Sequence, residues 1–264
     1  MSQYQEKTTV LRVEQFSSEN YRITFRSPDI ARVARAGQFV MIKAGRGKDP
    51  LLRRPFSIHQ TSSSGQLQIY FKVVGRGTDM LARVKVGETV SLFGPLGRGF
   101  QIKKSGSSIL IGGGLGIAPM LFLAKSICRY KKERECNGDL IILGGRSRVE
   151  VEPLVKDFRE FGLRLLTATD DGSFGHGGFV TDLLDAKELS GKSMVYTCGP
   201  EPMMARIGQL CRNHSIPCQV SVESVMACGM GACLGCSRKT KKGTYAHVCL
   251  NGPVFDAEEL IWNS

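Results

Sequence analysis

Between position 4 and about position 102 the chain is written in short β-rich, partly alternating runs. They are Val10-Leu11-Arg12-Val13, Tyr21-Arg22-Ile23-Thr24-Phe25, Gln38-Phe39-Val40-Met41-Ile42 and Gln66-Leu67-Gln68-Ile69-Tyr70-Phe71. Alternation sends every second side chain to one face, as a half-buried strand requires. Gly, Pro, Ser and Asp separate the runs, and evenly spaced short strands with turn signals predict a small antiparallel barrel. Arg53-Arg54-Pro55-Phe56-Ser57-Ile58 reads as a loop that becomes a strand.

The pattern changes at Ser105-Gly106. Ser108-Ile109-Leu110-Ile111 is an apolar strand that runs into Gly112-Gly113-Gly114-Leu115-Gly116-Ile117-Ala118-Pro119. A helix is expected over about 120–132, then a strand at Leu140-Ile141-Ile142-Leu143. Beyond it come a helix near 153–161, a strand at 163–168, a helix at 179–184, a strand at 193–198 and a helix at 202–213. Strands alternating with helices predict a parallel sheet. The last piece, from about Val222, is short and rich in Cys and Gly. The expected fold class is therefore multidomain α and β: an antiparallel β-barrel over 1–103, an α/β parallel-sheet domain over 104–221, and a small C-terminal domain over 222–264.

Composition narrows the chemistry. Thirty-one glycines in 264 residues cluster in strings without a fixed repeat, which suits turns and close backbone approaches to ligands. No apolar run approaches the ~20 residues of a membrane-spanning helix, and the polar start lacks the core of a secretory signal. A cytoplasmic protein is expected, with no membrane association. The net charge of +12 fits a solvated basic surface, attraction of phosphate-bearing cofactors, or docking on an acidic partner. The basic residues are spread along the chain and no nucleic-acid-binding motif is present, so no nucleic-acid partner is expected.

Nine cysteines, an odd number, do not suggest a disulfide framework. Four of them carry the most specific signal in the chain. Cys228, Cys233 and Cys236 are spaced C-x4-C-x2-C, and Cys249 follows after twelve residues. This is the plant-type [2Fe–2S] spacing: two irons each need two thiolates, so one loop curls around the cluster while a fourth Cys arrives from elsewhere. The intervening Gly, Met, Gly, Ala, Leu and Gly let backbone N–H groups reach the inorganic sulfurs. A structural zinc site usually shows paired C-x2-C hooks, and only one is present, so the pattern favours a cluster over zinc or free thiols. Cys128, Cys136, Cys211 and Cys218 read as core or surface thiols. Cys198 ends a strand in Cys198-Gly199-Pro200, at the sheet edge where ligands of α/β proteins bind.

Two further segments suit phosphates. Arg54, beside Pro55, Phe56 and Ser57, can bind a phosphate, while an extended backbone can hydrogen-bond a flavin edge. Tyr70, Phe71 and Lys72 lead into Gly75-Arg76-Gly77-Thr78, read as a strand end that presents backbone donors and the Thr78 hydroxyl to a pyrophosphate. Gly112, Gly113, Gly114 and Gly116 follow a strand and open a helix, a setting that favours an anion. They depart from strict G-x-G-x-x-G, because Ala118 and Pro119 stand where the third glycine is expected. Arg146, Ser147 and Arg148 follow the second α/β strand, where a 2′-phosphate could be read, so NAD and NADP both stay open.

Arg54-Pro55-Phe56-Ser57, the Gly112–Pro119 string and Cys198-Gly199-Pro200, in this order, resemble the ferredoxin-NADP-reductase superfamily. The ending, from the four cysteines to Gly252-Pro253-Val254-Phe255-Asp256, resembles the electron-transfer subunits of two-subunit, NAD-linked dihydroorotate dehydrogenases. The resemblance spans essentially the whole chain. It implies FAD contacts at Arg54, Pro55, Phe56, Ser57, Tyr70, Phe71, Lys72, Gly77 and Thr78, and a cluster held by Cys228, Cys233, Cys236 and Cys249. It places Gly114 and Cys198 near the nicotinamide nucleotide, NAD by preference; from their place in the two loops Gly112, Gly113, Gly116, Gly199 and Pro200 are expected to bind it too, and Cys198 is expected at the hydride site. In related subunits of NADH-dependent ferredoxin:NADP oxidoreductases and sulfide dehydrogenases an Asp can replace the first Cys ligand, and here position 228 is Cys. The implied partner is an FMN-containing catalytic subunit that oxidises dihydroorotate, in a heterotetramer, for pyrimidine biosynthesis. Electrons would leave through the cluster tail, so Leu234, Val254, Phe255 and Trp262 are expected to be partly exposed in the isolated chain.

Overall fold

Six strands, β1 (Tyr4–Gln15), β2 (Asn20–Arg26), β3 (Phe39–Lys43), β4 (Arg54–Thr61), β5 (Gln66–Lys72) and β6 (Thr89–Leu96), close into an antiparallel barrel in the order β1-β2-β5-β4-β3-β6. The computed structural model describes residues 2–45, 47, 49–131 and 138–262. Cys136 and the end of the helix expected to reach 132 lie outside the described residues. Strand β1 pairs with both β2 and β6, which seals the sheet and leaves no open edge. Ile23, Phe25, Ile42, Ile58, Leu67, Ile69 and Leu92 fill the interior and are fully buried.

Three elements of the barrel half depart from the sequence reading. Strand β6 was not expected, because Gly94 and Pro95 interrupt it. The second departure follows β5. Gly75-Arg76-Gly77-Thr78 is not a strand end; it opens a short helix, α2 (Arg76–Ala82). A first helix, α1 (Pro28–Val33), sits between β2 and β3.

The second half is a seven-stranded sheet. In chain order its strands are β7 (Ser107–Gly113), β8 (Leu140–Gly145), β9 (Arg164–Thr169), β10 (His176–Gly177), β11 (Lys192–Cys198), β12 (Cys218–Ser221) and β15 (Val254–Asp256). In space the order is β10-β9-β8-β7-β11-β12-β15, all parallel except the antiparallel β15. The helices are α3 (Ile117–Lys131), α4 (Arg148–Arg159), α5 (Ala186–Leu189) and α6 (Glu201–Asn213). Helix α4 begins five residues before Pro153, where the sequence suggested its start. The segment expected as a helix at 179–184 is a single 3-10 turn at Val180–Leu183. No helix among the described residues is long and apolar enough to cross a membrane.

The Cys-rich tail holds a small hairpin, β13 (Ser237–Lys239) with β14 (Tyr245–His247), and a short helix α7 (Val248–Asn251). It is not a free appendage, because β15 completes the nucleotide-type sheet against β12. Its other side docks on the barrel, where Arg98 N donates to Gly252 O at 2.5 Å. Barrel and sheet are clamped by Arg22, whose guanidinium binds Glu14 through two bonds of 2.9 Å and Asp157 of α4 at 2.5 Å. His59 Nδ1 meets Ala118 O at the start of α3, 2.7 Å away.

Candidate functional site

The order of the parallel strands reverses between β7 and β11, and open α/β sheets bind ligands in the crevice at such a switch point. Cys198 lies in register with Gly112 across that boundary, so the glycine string and the Cys198-Gly199-Pro200 loop meet there. A Cβ at Gly116 would strike the Cys198 carbonyl oxygen. One at Gly113 would stand 2.5 Å from Met203 Sδ. These two glycines let the loops touch. Gly114 differs. Its φ is +55 and a Cβ there would meet nothing within 4 Å, so the space above it is open to a ligand.

That space is a cleft of about 720 Å³ lined by Gly113–Gly116, Gly144–Arg146, Gly199–Met204 and, from the barrel, Lys72. Arg146 and Asp170 face it at the ends of β8 and β9, whereas Arg148 turns away to Ser173 O at 3.1 Å and the Phe174 ring. Cys198 itself is not on the wall. It is 2% exposed, and burial, with the Glu223 charge adding, pushes its thiol well above the ordinary range. The group is a neutral thiol beneath the loop.

Sequence reasoning missed Glu223. It follows β12 and lines the cleft; its side chain is exposed at the mouth, and partial desolvation there raises its carboxyl above the usual carboxylate range. An acidic residue after a strand carries no signal of its own; only the parallel pairing of β12 with β11 brings it to Cys198.

The flavin-type segment divides sharply. Arg53 is spent on structure: it donates to Ser91 O at 2.8 Å and Ser91 Oγ at 3.0 Å, bracing the start of β4 on β6. Arg54 donates to Leu52 O at 2.7 Å and lies across the start of α2, where a Cβ at Gly77 would meet its Nε at 3.2 Å. A guanidinium over glycine backbone is a cradle that a pyrophosphate fits. Ser57 points outward from β4, half-buried, beside Pro55. Phe56 and Phe71 instead face each other inside the barrel, with ring centroids 5.5 Å apart. Tyr70 packs edge-on against Phe16 at 5.9 Å. Lys72 is held by Glu19 at 3.0 Å and Glu150 at 3.5 Å. The Thr78 hydroxyl accepts from Val74 N and Gly75 N and donates to Gly75 O. With one proton and two lone pairs it has nothing left to offer a ligand; it shapes the turn whose backbone Gly77 exposes.

In the tail the four thiols fall into two pairs. Cys236 Sγ and Cys249 Sγ are 3.3 Å apart, and the Cys228 thiol is hydrogen-bonded to Cys233. Gly231 N donates to Cys249 Sγ at 3.1 Å, and Met230 N and Cys233 N donate to Cys228 Sγ at 3.4 Å each. Burial opposes ionisation of Cys228, but these N–H donors outweigh it and bring its thiol down to about 6. Burial and the Cys236 thiol drive Cys249 the other way, to about 12. Positive φ at Gly229, Gly231 and Leu234 turns the amides inward. Among the described residues no three Cys, His, Asp or Glu side chains converge on one metal position. Two thiol pairs under converging amides fit a two-iron cluster, with two thiolates for each iron, better than one zinc ion.

The expected exposure is met only in part. Leu234 is exposed and Trp262 is half-buried, while Val254 and Phe255 are buried because β15 carries them into the sheet. Val225, Met230 and Leu250, not singled out from sequence, are exposed around the thiols.

Comparison with known proteins agrees with this geometry. Residues 7–100 match the oxidoreductase FAD-binding domain and residues 110–209 the oxidoreductase NAD-binding domain. Residues 223–261 match the iron–sulfur cluster binding domain of dihydroorotate dehydrogenase B. The electron transfer subunit of dihydroorotate dehydrogenase B (NAD(+)) from Desulforamulus reducens is 38% identical over 96% of this chain and 97% of its own. The electron transfer subunit homolog from Aquifex aeolicus is 39% identical over 96% of each chain. A solved structure of an NADH-dependent reduced ferredoxin-NADP oxidoreductase superposes with a TM-score of 0.85, 30% identity, and coverage of 97% of this chain and 90% of that one. The chain thus belongs to the family of dihydroorotate dehydrogenase B (NAD(+)) electron transfer subunits.

Proposed function

We propose that this chain carries electrons between NAD, FAD and a [2Fe–2S] cluster, and through the cluster to an FMN-containing catalytic subunit that oxidises dihydroorotate in pyrimidine biosynthesis, within a heterotetramer. The observation that carries the reading is the seat of the cluster loop. A Cβ at Gly229 would stand 2.6 Å from Met41 Cγ, and Met41 pairs with Pro55 on the flavin strand. Cluster loop and flavin strand thus share one neighbour, Met41 of β3. The modules are the barrel over 1–103, the α/β domain over 104–221 and the tail over 222–264.

When bound, the flavin exchanges two electrons with a nicotinamide and one with the cluster. The chain positions these groups. Arg54 and the Gly77 backbone hold the flavin pyrophosphate, and Pro55 and Ser57 lie along its edge. Tyr70 supports the flavin from the face shared with α3, and Lys72 lies between flavin and nucleotide modules. Phe56 and Phe71 act through their backbone, and Thr78 through the turn it ties. Gly112, Gly113, Gly114, Gly116, Gly199 and Pro200 shape the nucleotide site, and the neutral Cys198 thiol supports the hydride position from behind. Asp170 at the end of β9 suits a ribose 2′-hydroxyl and Arg146 at the end of β8 a 2′-phosphate, so the preference for NAD over NADP rests on the family. Cys228, Cys233, Cys236 and Cys249 are the cluster ligands.

The test of division between subunits is dihydroorotate turnover. The purified chain with FAD and NAD+ forms no orotate, and the same chain co-purified with its catalytic partner does. Robust orotate production by the single chain overturns the reading. The solved-structure likeness supports a second reading, a subunit feeding ferredoxin and NADP; ferredoxin-dependent NADP+ reduction by the complex, without dihydroorotate activity, would favour it.

A further inference from the structure

The tail does more than hold thiols. Arg238, on β13 two positions after Cys236, reaches out of the cluster segment to Glu201, the first residue of α6. Its Nη2 lies 2.5 Å from Glu201 Oε1 and its Nη1 3.3 Å from Oε2, a two-pronged, charge-assisted pair. The guanidinium also lies 5.3 Å from the centroid of the Trp262 ring and donates to Ile261 O at 3.3 Å. Trp262 is itself fixed by a 3.0 Å bond from Nε1 to Ala257 O. Both Arg238 and Glu201 line the cleft.

Glu201 is well placed to transmit this grip. It begins the first turn of α6, which also carries Met203, and Met203 packs on Gly113 and Gly199. The wall of the cleft beside Gly113 and Gly199 is thereby tied to the cluster segment through one ion pair. An acidic residue in a first helical turn needs no partner, since the helix dipole already favours it. Here it is half-buried and held by an arginine from another module.

We propose that Arg238 is a positioning residue for the pyridine nucleotide: by gripping Glu201 it fixes the first turn of α6 and the Met203–Gly113 contact that shapes the nucleotide cleft. The inference rests on the reading of that cleft as the nucleotide site. A planar fork is required, because a lysine carries the charge but neither the two-pronged geometry nor the stacking surface.

The test compares Arg238→Gln, Arg238→Lys, Glu201→Gln and the Arg238→Gln/Glu201→Gln double variant of the intact FAD- and iron-loaded chain. The readouts are NAD+ and NADH affinity by calorimetry and amide hydrogen exchange over 204–207, where the bonds that close the first turn of α6 begin with Met204 N donating to Pro200 O. Each Gln variant is expected to bind nucleotide about tenfold more weakly (about 1.4 kcal/mol). The double variant is expected to be no worse than either single one, as for two residues acting as a unit. Exchange over 204–207 speeds up in both, Arg238→Lys falls between, and FAD and iron content stay at wild-type levels. If Arg238→Gln loses iron, Glu201→Gln, which lies outside the cluster segment, carries the test. Tighter or unchanged binding in Glu201→Gln, additive losses in the double variant, or unchanged exchange overturns the proposal. A wild-type chain that binds neither NAD+ nor NADH overturns the nucleotide reading itself, and the proposal with it.

Discussion

Gly114 and Gly116 stand two residues apart in one turn and are predicted to fail in different ways. At Gly114 the backbone is left-handed and the space beyond is empty. An alanine in that conformation costs about 1–2 kcal/mol, small beside a net stability of about 5–15 kcal/mol. Gly114→Ala therefore folds and keeps its flavin and iron. Its methyl, however, occupies the approach of the nucleotide to the backbone at the start of α3. Losing one charge-assisted hydrogen bond there costs about 1.5–3 kcal/mol, which is about 10- to 150-fold in dissociation constant. At Gly116 the added atom collides with the Cys198 carbonyl oxygen, a backbone atom that no rotamer change can move. Gly116→Ala must shift β11 from α3 and is predicted to lower Tm or to fail to fold. The assay is anaerobic stopped-flow reduction of the flavin by NADH, with Tm and FAD and iron content measured alongside. Wild-type NADH affinity in Gly114→Ala, or wild-type stability in Gly116→Ala, would refute this account of the turn.

Cys233→Ser is expected to remove the cluster's absorbance and paramagnetic signals and to block transfer to the partner, while NADH still bleaches the flavin; a full complement of iron and sulfide in the variant would disprove the ligand set. Arg54→Ala should weaken FAD retention by about 1.5–3 kcal/mol, measured by fluorescence titration, whereas unchanged FAD affinity would move the pyrophosphate site elsewhere. His59 is fully buried, and desolvation lowers its imidazole to about 4. Because the unfolded chain takes up the proton first, stability is full above about pH 6.5 and falls as pH drops toward about 4, by about 3 kcal/mol in all. Denaturation at several pH values should show this slope in wild type and not in His59→Gln, and equal slopes in the two would contradict the assignment.

What was legible in the sequence was local. The C-x4-C-x2-C run announces itself because one loop must supply three thiolates. The glycine string between an apolar strand and a helix was readable because both periods lie within thirty residues. Strand β6 was hidden by Gly94 and Pro95, which are turn signals tolerated here inside a barrel strand. The Gly75–Thr78 segment looked like a strand end because its glycines gave no helical period. Val254 and Phe255 were expected at the surface, but pairing of β15 with β12 buries them. Cys198 was placed correctly at the sheet edge, yet which way its thiol turns depends on the packing around α3. Glu223 and the Arg238–Glu201 pair join distant segments and leave no pattern in the chain.

The central claim is that one chain conducts electrons from NADH through its flavin into the cluster lodged beside Met41. It is tested most directly by adding NADH anaerobically to the purified, FAD- and iron-loaded chain, freezing at intervals and recording the paramagnetic signal of the reduced cluster alongside flavin absorbance. The account predicts flavin bleaching followed by growth of the reduced-cluster signal with no partner protein present. A flavin that bleaches fully while the intact cluster stays oxidised would contradict it.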